Sequence, residues 1–376
     1  MTVQEARKYF PYLNSGKIYL NHASISPLSS LVTERVKDFL RERSETDIEN
    51  VPKTQFVTES VRNKLARLIN TSPDRIAFVD NTSNGLNIVA QGLNWKTGDR
   101  IILNDVEFPS NVYPFLNLKT QGVEIDFVKS NNGIVTADDI IRKITPKTKL
   151  ISISSVQFLS GYRADLKKIG EVCKSKNILF CVDAIQGLGA TTLNFEECNI
   201  SFLACGAQKW LMGMMGLAFI AVSEELQTKL APKYVGWQSV ENPWTLLNYD
   251  LELKKSAEAF QNGTISVVGV NALDASLELF EMFGIENVEE SVLANSLYLT
   301  RHLDNIGIKT LLSGYDFQHI SGIISFRSDS AKSIYNSLTE ANIICSLREG
   351  FVRFSPHFYN TCEEIDLVIE RVKLAI

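Results

Sequence analysis

The sequence predicts an α/β protein in which a large domain, built on a mainly parallel sheet, precedes a smaller α+β domain. Seven short apolar runs between residues 75 and 222 predict strands, and amphipathic segments separate most of them. Such alternation is typical of βαβ units, whose parallel sheet is covered on both faces. The aromatic, loop-like segment 231–244 ends this pattern, and longer helices follow it.

The elements of the large domain follow from uninterrupted apolar runs for strands and capped amphipathic runs for helices. In chain order the predicted strands are RIAFVD (75–80), DRIILND (99–105), VEIDFV (123–128), KLISISSVQ (149–157), ILFCVDA (178–184), ISFLACG (200–206) and GLAFIAV (216–222). The predicted helices are TESVRNKLARLIN (58–70), TSNGLNIVAQGL (82–93), TADDIIRKI (136–144) and DLKKIGEVCKSKN (165–177).

The smaller domain is predicted from a second, shorter alternation. It comprises helices at 271–284, 287–303 and 331–342, strands at 321–328 and 350–356, and a terminal helix. We therefore expect residues 21–255 to form the large domain and residues 256–376 the small one. Residues 1–20 are expected to pack with the small domain.

Composition and charge narrow the class of protein. The formal net charge of −5 argues against non-specific binding of nucleic acid. The six cysteines form no C-x-x-C pair and the four histidines no H-x-x-x-H spacing, which predicts reduced thiols and no metal site. No basic-then-apolar leader and no apolar run of about 18 residues is present. We expect a cytoplasmic protein that binds no membrane.

Polar side chains follow five of the predicted strands at the point where each ends. In an open α/β sheet, ligands bind beyond the carboxyl ends of the strands. The residues at these places are Asn81, Thr82 and Ser83; Glu107, Phe108 and Asn111; Gln157; Asp183 and Gln186; and Gln208 and Lys209. Lys209 is the one charge in FLACGAQKWLMGMMGLAFI (202–220), and lysine is almost never fully buried without a partner.

Each of these residues also has an ordinary structural interpretation. Thr82 and Ser83 could cap a helix, Asp183 could serve a turn, and Lys209 could lie on the surface. Several common chemistries are missing from the sequence. GLGATT (187–192) lacks the third glycine of a dinucleotide fingerprint, and no phosphate loop or nucleophile elbow occurs.

A lysine and an aspartate at neighbouring strand ends suit one cofactor. A partly desolvated lysine has a lowered pKa and forms a Schiff base with an aldehyde. Pyridoxal phosphate supplies an aldehyde, a phosphate and a pyridine nitrogen, and a carboxylate opposite that nitrogen keeps it protonated. Lys209 and Asp183 could fill these two roles, with Thr82 and Ser83 at the phosphate.

The chain resembles the class V aminotransferases, a family of fold-type I pyridoxal-phosphate enzymes that includes cysteine desulfurases, kynureninase and isopenicillin-N-epimerase-like proteins. The resemblance is carried by YLNHASISPL, NTSNGLNIVA, DVEFPSN, VQFLSG, VDAIQGLGA, GAQKWLMG, NGTIS and VRFSPHFYNTCEEIDLVIERV. The last is close to the family's R-x-S-x-H-x-Y-N-T-x-E-E-I-D pattern. The resemblance implies a seven-stranded sheet in a large pyridoxal-phosphate-binding domain, and a homodimer with shared active sites.

The resemblance also implies a role for each matching residue. The implied cofactor contacts are Thr82, Ser83 and Gln208 at the phosphate, Phe108 stacked on the ring, Gln157, Gln186 at the ring hydroxyl, Asp183 at the pyridine nitrogen, Lys209 at the aldehyde, and Gly263 and Thr264 from the neighbouring subunit. Arg353 matches the arginine that grips the substrate α-carboxylate, and Asn21 and His22 lie in a segment near the substrate. Gln208 stands where many relatives have histidine, and Gly206 replaces a common serine, which removes one phosphate contact.

The reaction is narrowed by two departures from the desulfurases. Desulfuration needs a cysteine on a mobile loop before the carboxylate-binding arginine, but CSLREGFVR (345–353) is short, and Cys345 is the only candidate. Phe108 also replaces a histidine that assists proton transfer in desulfurases. We therefore favour transamination of an amino acid, with desulfuration, β-elimination at a C–S bond and epimerisation as alternatives.

Three further alternatives remain open. Arg348 either selects a carboxylate-bearing substrate or pairs with Glu349. A catalytically silent relative and a nucleotide-dependent enzyme are two functions outside the class. The presence of Lys209, Asp183 and Arg353 together disfavours the silent relative, and the missing glycine fingerprint disfavours nucleotide binding.

Overall fold

A seven-stranded sheet forms the centre of the large domain. The computed structural model describes residues 1–376. In chain order, helices α1–α12 span Val3–Arg7, Ser30–Glu45, Val51–Ile69, Thr82–Gly92, Tyr113–Leu116, Ala137–Arg142, Leu166–Ser175, Glu224–Gln227, Val267–Phe283, Ile285–Asn305, Ala331–Glu340 and Cys362–Ala375. Strands β1–β12 span Ile18–Tyr19, Ile76–Val79, Arg100–Asn104, Glu124–Val128, Thr148–Ser154, Leu179–Asp183, Phe202–Gly206, Ala218–Val222, Ile324–Arg327, Ile343–Ile344, Ser346–Arg348 and Phe351–Phe354.

The strand order of the central sheet places six carboxyl ends at one edge. The order is β2-β8-β7-β6-β5-β3-β4. Only β8 is antiparallel to its neighbours, β2 and β7, so the other six strands run in one direction. The predicted α/β class with a mainly parallel seven-stranded sheet is confirmed. The loops that follow β2, β3, β5, β6 and β7 therefore start from the same edge.

Burial on both faces explains why these strands are continuous apolar runs. Alternate residues of a strand point to opposite faces of its sheet. In β7, Leu203 and Cys205 belong to one apolar cluster, whereas Phe202 and Ala204 belong to another. All five residues of β7 and of β8 are buried. The sheet is thus covered on both sides, as parallel sheets require.

The small domain contains a three-stranded antiparallel sheet in the order β11-β12-β9. Apolar residues of this sheet and of α10, α11 and α12 form its own core. Strand β1 pairs in parallel with β10, which places the N-terminal segment beside this domain. The domain limits at residues 20 and 255 stay predictions. None of the helices has the length and hydropathy that crossing a membrane requires.

Several elements differ from the sequence-based expectation. Helix α2 was not predicted, because most of its residues are polar and only Val32 is buried. Helix α3 begins at Val51, seven residues before the expected start, with a proline in its first turn. The predicted strand 149–157 ends at Ser154, and the following residues turn towards the small domain. Strands β10 and β11 were also missed.

The loop after β5 joins the two domains. Ser321 donates a hydrogen bond from its hydroxyl to the Gly161 carbonyl (2.7 Å), and Ser325 donates to the Leu159 carbonyl. Gly161 has a φ of +77°, and a Cβ at this position would lie 2.1 Å from the Ile323 carbonyl oxygen. Glycine therefore permits both the left-handed backbone and the close approach of the domains.

We expect Gly161→Ala to destabilise the protein more than Gly133→Ala does. Gly133 has a φ of +78° but open space around the missing Cβ, so it is a matched control. Both variants carry the cost of a Cβ at positive φ, about 1–2 kcal/mol. Only Gly161→Ala adds a steric conflict, typically about 1–3 kcal/mol. Urea unfolding followed by tryptophan fluorescence measures the difference, and equal losses for the two variants would contradict this packing.

Candidate active site

Lys209 lies in the turn that follows β7, at the edge where the six carboxyl ends meet. Its amine forms no hydrogen bond or ion pair and lies 5.5 Å from the centre of the Phe108 ring. Burial lowers the pKa of Lys209 to about 8, against the opposing effect of the Asp183 charge. A larger fraction of this amine than of an ordinary lysine amine is therefore unprotonated near neutral pH.

Asp183 is the last residue of β6, the strand beside β7. Its carboxylate is 2% exposed and accepts one hydrogen bond, from the Ile185 backbone N–H (3.0 Å). Burial raises the pKa of Asp183 to about 6, and the charge of Glu107 acts in the same direction. Asp183 and Lys209 influence each other's pKa but form no ion pair. The structure thus brings together the two residues on which the sequence-based hypothesis depends.

Thr82 offers an unpartnered hydroxyl at the start of α4. The cap of this helix is Asn81, which accepts a hydrogen bond from the Asn84 backbone N–H (2.8 Å). Because Asn81 fills the capping role, Thr82 is not needed for it. The Thr82 Oγ1 atom is buried and has no hydrogen-bond partner in the protein. A buried hydroxyl beside a helix N-terminus suits a phosphate.

Gly206 and Gln208 complete a cradle beside this hydroxyl. A Cβ at position 206 would lie 2.7 Å from the Gln208 side-chain oxygen and 3.2 Å from Thr82 Oγ1. The absence of a side chain at Gly206 therefore leaves room for Gln208 beside Thr82. Ser83 also lies in this first turn of α4, but its hydroxyl donates to the Ser110 hydroxyl (2.9 Å).

Phe108 lies over the site as an exposed aromatic ring. It follows β3 and is 38% exposed. Its ring packs edge-on against Phe158, with 5.4 Å between the ring centres. A ring 5.5 Å from the Lys209 amine suits a side chain that covers a planar group bound to that amine.

Glu107 is a buried carboxylate whose role the sequence-based prediction missed. It accepts hydrogen bonds from Asn104 (2.7 Å), Asn111 (3.1 Å), Ser154 and Gln157 (2.8 Å). These bonds tie the loop after β3 to the end of β5. The Gln157 amide nitrogen is thereby fixed, while its side-chain oxygen is buried without a partner. The signal available in the sequence was the acidic residue directly before Phe108.

Gln186 is placed inside the protein by two hydrogen bonds. Its amide nitrogen donates to the Ala23 carbonyl (2.9 Å), and its oxygen accepts from the Trp210 indole N–H (3.0 Å). Gln186 thus holds the N-terminal segment against the turn that carries Lys209. Its predicted contact with a ring hydroxyl stays a prediction.

Arg353 is a buried cation without an acidic partner. It is 1% exposed and donates to the Phe158 carbonyl (2.6 Å), the Ser24 hydroxyl (3.0 Å) and the Ser346 hydroxyl (3.2 Å). Burial, and to a lesser extent the charge of nearby Arg348, lower the pKa of Arg353 to about 9. Three neutral acceptors orient the guanidinium but leave its charge uncompensated, which suits a carboxylate ligand.

Of the two residues predicted near the substrate, His22 is bonded within the protein interior, whereas Asn21 is connected to Arg353. Both ring nitrogens of His22 are bonded in the interior, Nδ1 to the Ser355 carbonyl (2.8 Å) and Nε2 to the Tyr359 hydroxyl (2.6 Å). Burial holds the pKa of His22 well below its usual range. The geometry favours a packing role for His22 over the predicted substrate contact. Asn21 accepts from the Ser24 hydroxyl (2.8 Å) and is thereby connected to Arg353.

Gly263 and Thr264 lie outside the cluster around Lys209 of the same chain. They line a surface groove of about 1000 Å³ together with Asn84, and Lys209 does not line it. Thr264 is exposed. Within one chain, the structure does not bring these two predicted phosphate ligands to Thr82.

Cys345 is unsuited to act as a nucleophile. It lies between the short strands β10 and β11 and is 5% exposed. Burial raises the pKa of its thiol to about 12, so the thiolate that attacks electrophiles is scarce at neutral pH. No long loop follows it, because β11 and β12 are joined by a two-residue turn.

The fold places Lys209, whose amine has a lowered pKa, and the buried Asp183 after adjacent strands at one edge of the sheet. The sequence matches the family Aminotransferase class-V over residues 18–368. The chain therefore belongs to the class-V aminotransferase family, whose members depend on pyridoxal phosphate. The family, the fold type and the cofactor inferred from the sequence are thereby confirmed.

Known relatives carry names from both expected classes of enzyme. The chain is 28% identical to the uncharacterized aminotransferase YcbU of Bacillus subtilis, over 98% of this chain and 97% of that protein. It is also 28% identical to a probable cysteine desulfurase of Methanothermobacter thermautotrophicus, over 99% and 98% of the two chains. The apo structure of a cysteine desulfurase from Thermococcus onnurineus NA1 has the same fold, with a TM-score of 0.90, 23% identity and coverage of 99% and 98%.

We expect the Lys209 amine of the cofactor-free protein to react with acylating reagents at lower pH than an ordinary lysine. Only the unprotonated amine reacts, so its labelling rate should reach half of its maximum near pH 8, following the lowered pKa. Asp183→Asn should move this midpoint lower still, because the Asp183 charge stabilises the protonated amine. Mass spectrometry of competitively labelled peptides measures both midpoints. A midpoint at about 10.4, as in a lysine model peptide, would refute the desolvation of Lys209.

Proposed function

We propose that the protein is an aminotransferase that acts on an amino acid with pyridoxal phosphate as its cofactor. The observation that carries this proposal is a half-buried lysine amine with a lowered pKa and no ion pair, at the same sheet edge as a buried aspartate without an ion pair. The free hydroxyl of Thr82 adds a place for the phosphate of the same cofactor.

The residues present fit this cofactor. When bound, pyridoxal phosphate supplies an aldehyde that condenses with amines and a ring that accepts the electrons released at the substrate Cα. Thr82, Gln208 and the N-terminus of α4 would hold its phosphate, and Asp183 would keep its ring nitrogen protonated. Phe108 would cover the ring.

Lys209 is proposed as the base at the substrate Cα. Its lowered pKa supplies an unprotonated amine, which would remove the Cα proton and return it two atoms away, the 1,3-proton transfer that transamination requires. Arg353 would orient the substrate by its α-carboxylate, because the guanidinium is fixed by Phe158, Ser24 and Ser346.

Transamination is favoured over desulfuration by two features. A desulfurase would require a nucleophilic thiol that reaches the substrate, and Cys345 is buried with a raised pKa. Phe108 also offers no titratable group at the position where desulfurases have a histidine. Sulfur transfer would need a reactive thiol and a titratable group at position 108, and this chain supplies neither. Transamination requires neither group.

We further infer that two copies of the chain form a homodimer in the cytoplasm. Thr264 would reach the phosphate site of the partner, since it lies on the surface of its own chain. The neighbouring loop exposes large apolar side chains that a second copy would cover: Tyr234, Trp237, Trp244, Leu246, Leu247, Tyr249 and Leu251. Six free cysteines support a reducing compartment.

We expect purified protein to be yellow, with a visible absorbance band that borohydride abolishes. Lys209→Ala should lose this band and lower kcat by roughly 10²–10⁴-fold, because it removes the base. An exposed lysine, Lys119→Ala, serves as the control. The activity assay incubates amino acids with a keto-acid acceptor and measures the new amino and keto acids. Release of sulfide or ammonia in place of these products would overturn transamination.

Cys345→Ala should leave the rate of product formation unchanged. The side chain is buried in the core of the small domain and takes no part in the proposed reaction. Its removal should cost only the stability of a small apolar contact, about 1 kcal/mol. Steady-state kinetics and thermal unfolding measure the two effects. Complete loss of activity in a folded variant would restore the desulfurase alternative.

A further inference from the structure

We propose that Arg348 selects amino acids that carry a second carboxylate on the side chain. This inference rests on the proposed function and adds a substrate class to the same site. Of the two sequence-based alternatives for this residue, the ion pair with Glu349 is not formed; Arg348 instead donates to the Ser24 hydroxyl, to which Arg353 also donates.

The turn between β11 and β12 fixes the position of Arg348. Glu349 and Gly350 are its two central residues, with φ values of +50° and +79°. Two successive left-handed residues form the tight turn that suits the twist of a hairpin. The resulting register pairs Ser346 with Arg353 and Arg348 with Phe351.

This register places both arginines on one face of the small sheet. Directly paired residues of antiparallel strands share a face, and so do residues two apart on one strand. Arg348 is two residues from Ser346, which is paired with Arg353. The two guanidinium groups therefore project towards the same space, above the loop of Phe158.

Both guanidinium groups converge on Ser24. Arg348 donates to the Ser24 hydroxyl from 3.1 Å and Arg353 from 3.0 Å. Ser24 in turn donates to the Asn21 side-chain oxygen (2.8 Å). Neither arginine has an acidic partner among the ion pairs of the protein, so two positive charges meet around one neutral oxygen.

The positive charges of the two arginines also act on Lys209, the proposed catalytic base. Arg353 and Arg348 both lower the pKa of Lys209, which places them within electrostatic range of its amine. Asp183, proposed to serve the cofactor nitrogen, acts on Lys209 in the opposite direction. An amino acid with a single carboxylate would compensate one arginine, whereas a second carboxylate would compensate both.

The two arginines differ in burial, which assigns them different parts of the substrate. Arg353 is enclosed and oriented by three acceptors, as a fixed α-carboxylate site requires. Arg348 is exposed at the end of the hairpin and has only the Ser24 bond. It can therefore move to meet a carboxylate at the end of a side chain. Aspartate, glutamate and cystine all offer such a group, at different distances.

The experiment compares the holoenzyme with Arg348→Gln, Arg348→Lys and Arg371→Gln. The last variant removes an exposed arginine of α12 and controls for total charge. Substrates are aspartate, glutamate and cystine, matched by the neutral asparagine, glutamine and alanine. We expect Arg348→Gln to lower kcat/KM for the preferred acidic substrate by about tenfold, with neutral substrates and Arg371→Gln unchanged. Arg348→Lys should retain part of the preference.

Binding of unreactive acids gives a second readout. The absorbance of the holoenzyme is titrated with succinate and glutarate, and with propionate and butyrate as single-carboxylate controls. We expect Kd for the better dicarboxylate to rise about tenfold in Arg348→Gln, with no change for the single acids. Equal losses for acidic and neutral ligands, or no acidic preference in the unaltered enzyme, would overturn the role of Arg348. If no amino acid reacts at all, the proposed function fails instead, and dicarboxylate binding still tests Arg348.

Discussion

The site depends on one partly desolvated amine, that of Lys209, which has no ion pair to compensate its charge. Lys209 follows a strand that is buried on both faces, and its amine has neither a hydrogen bond nor an acidic contact. Partial desolvation favours the neutral amine, and the Asp183 charge offsets only part of that effect. The surrounding core supplies the stability that such an arrangement costs.

Two other charged groups of the site also lack an ion pair. Asp183 and Arg353 are also enclosed, and neither has an oppositely charged neighbour in hydrogen-bonding contact. Neutral groups orient them: a backbone N–H for Asp183, and a carbonyl and two hydroxyls for Arg353. Charges held in this way keep their electrostatic influence for a ligand, because no internal partner neutralises them.

The sequence predicted most of the large domain because its signals are local. Apolar strands and the polar residues that follow them are adjacent in the chain, so Lys209 and Asp183 could be paired from strand order alone. Other features depend on contacts between distant segments. The burial of His22 against Tyr359 joins residues 337 positions apart, and the Ser24–Arg348 contact joins residues 324 positions apart. The cap of α4 is Asn81, but the sequence also offered the adjacent Thr82 and Ser83 for this role.

The hairpin of β11 and β12 also limits how this enzyme could change during evolution. Its two-residue turn holds both arginines on one face, and the thiol next to β11 points into the core. A persulfide-forming descendant would need a longer connection at this place to carry a mobile cysteine. A longer turn between β11 and β12 would release Arg348 from its pairing with Phe351. A single insertion would therefore both allow sulfur chemistry and separate the two guanidinium groups.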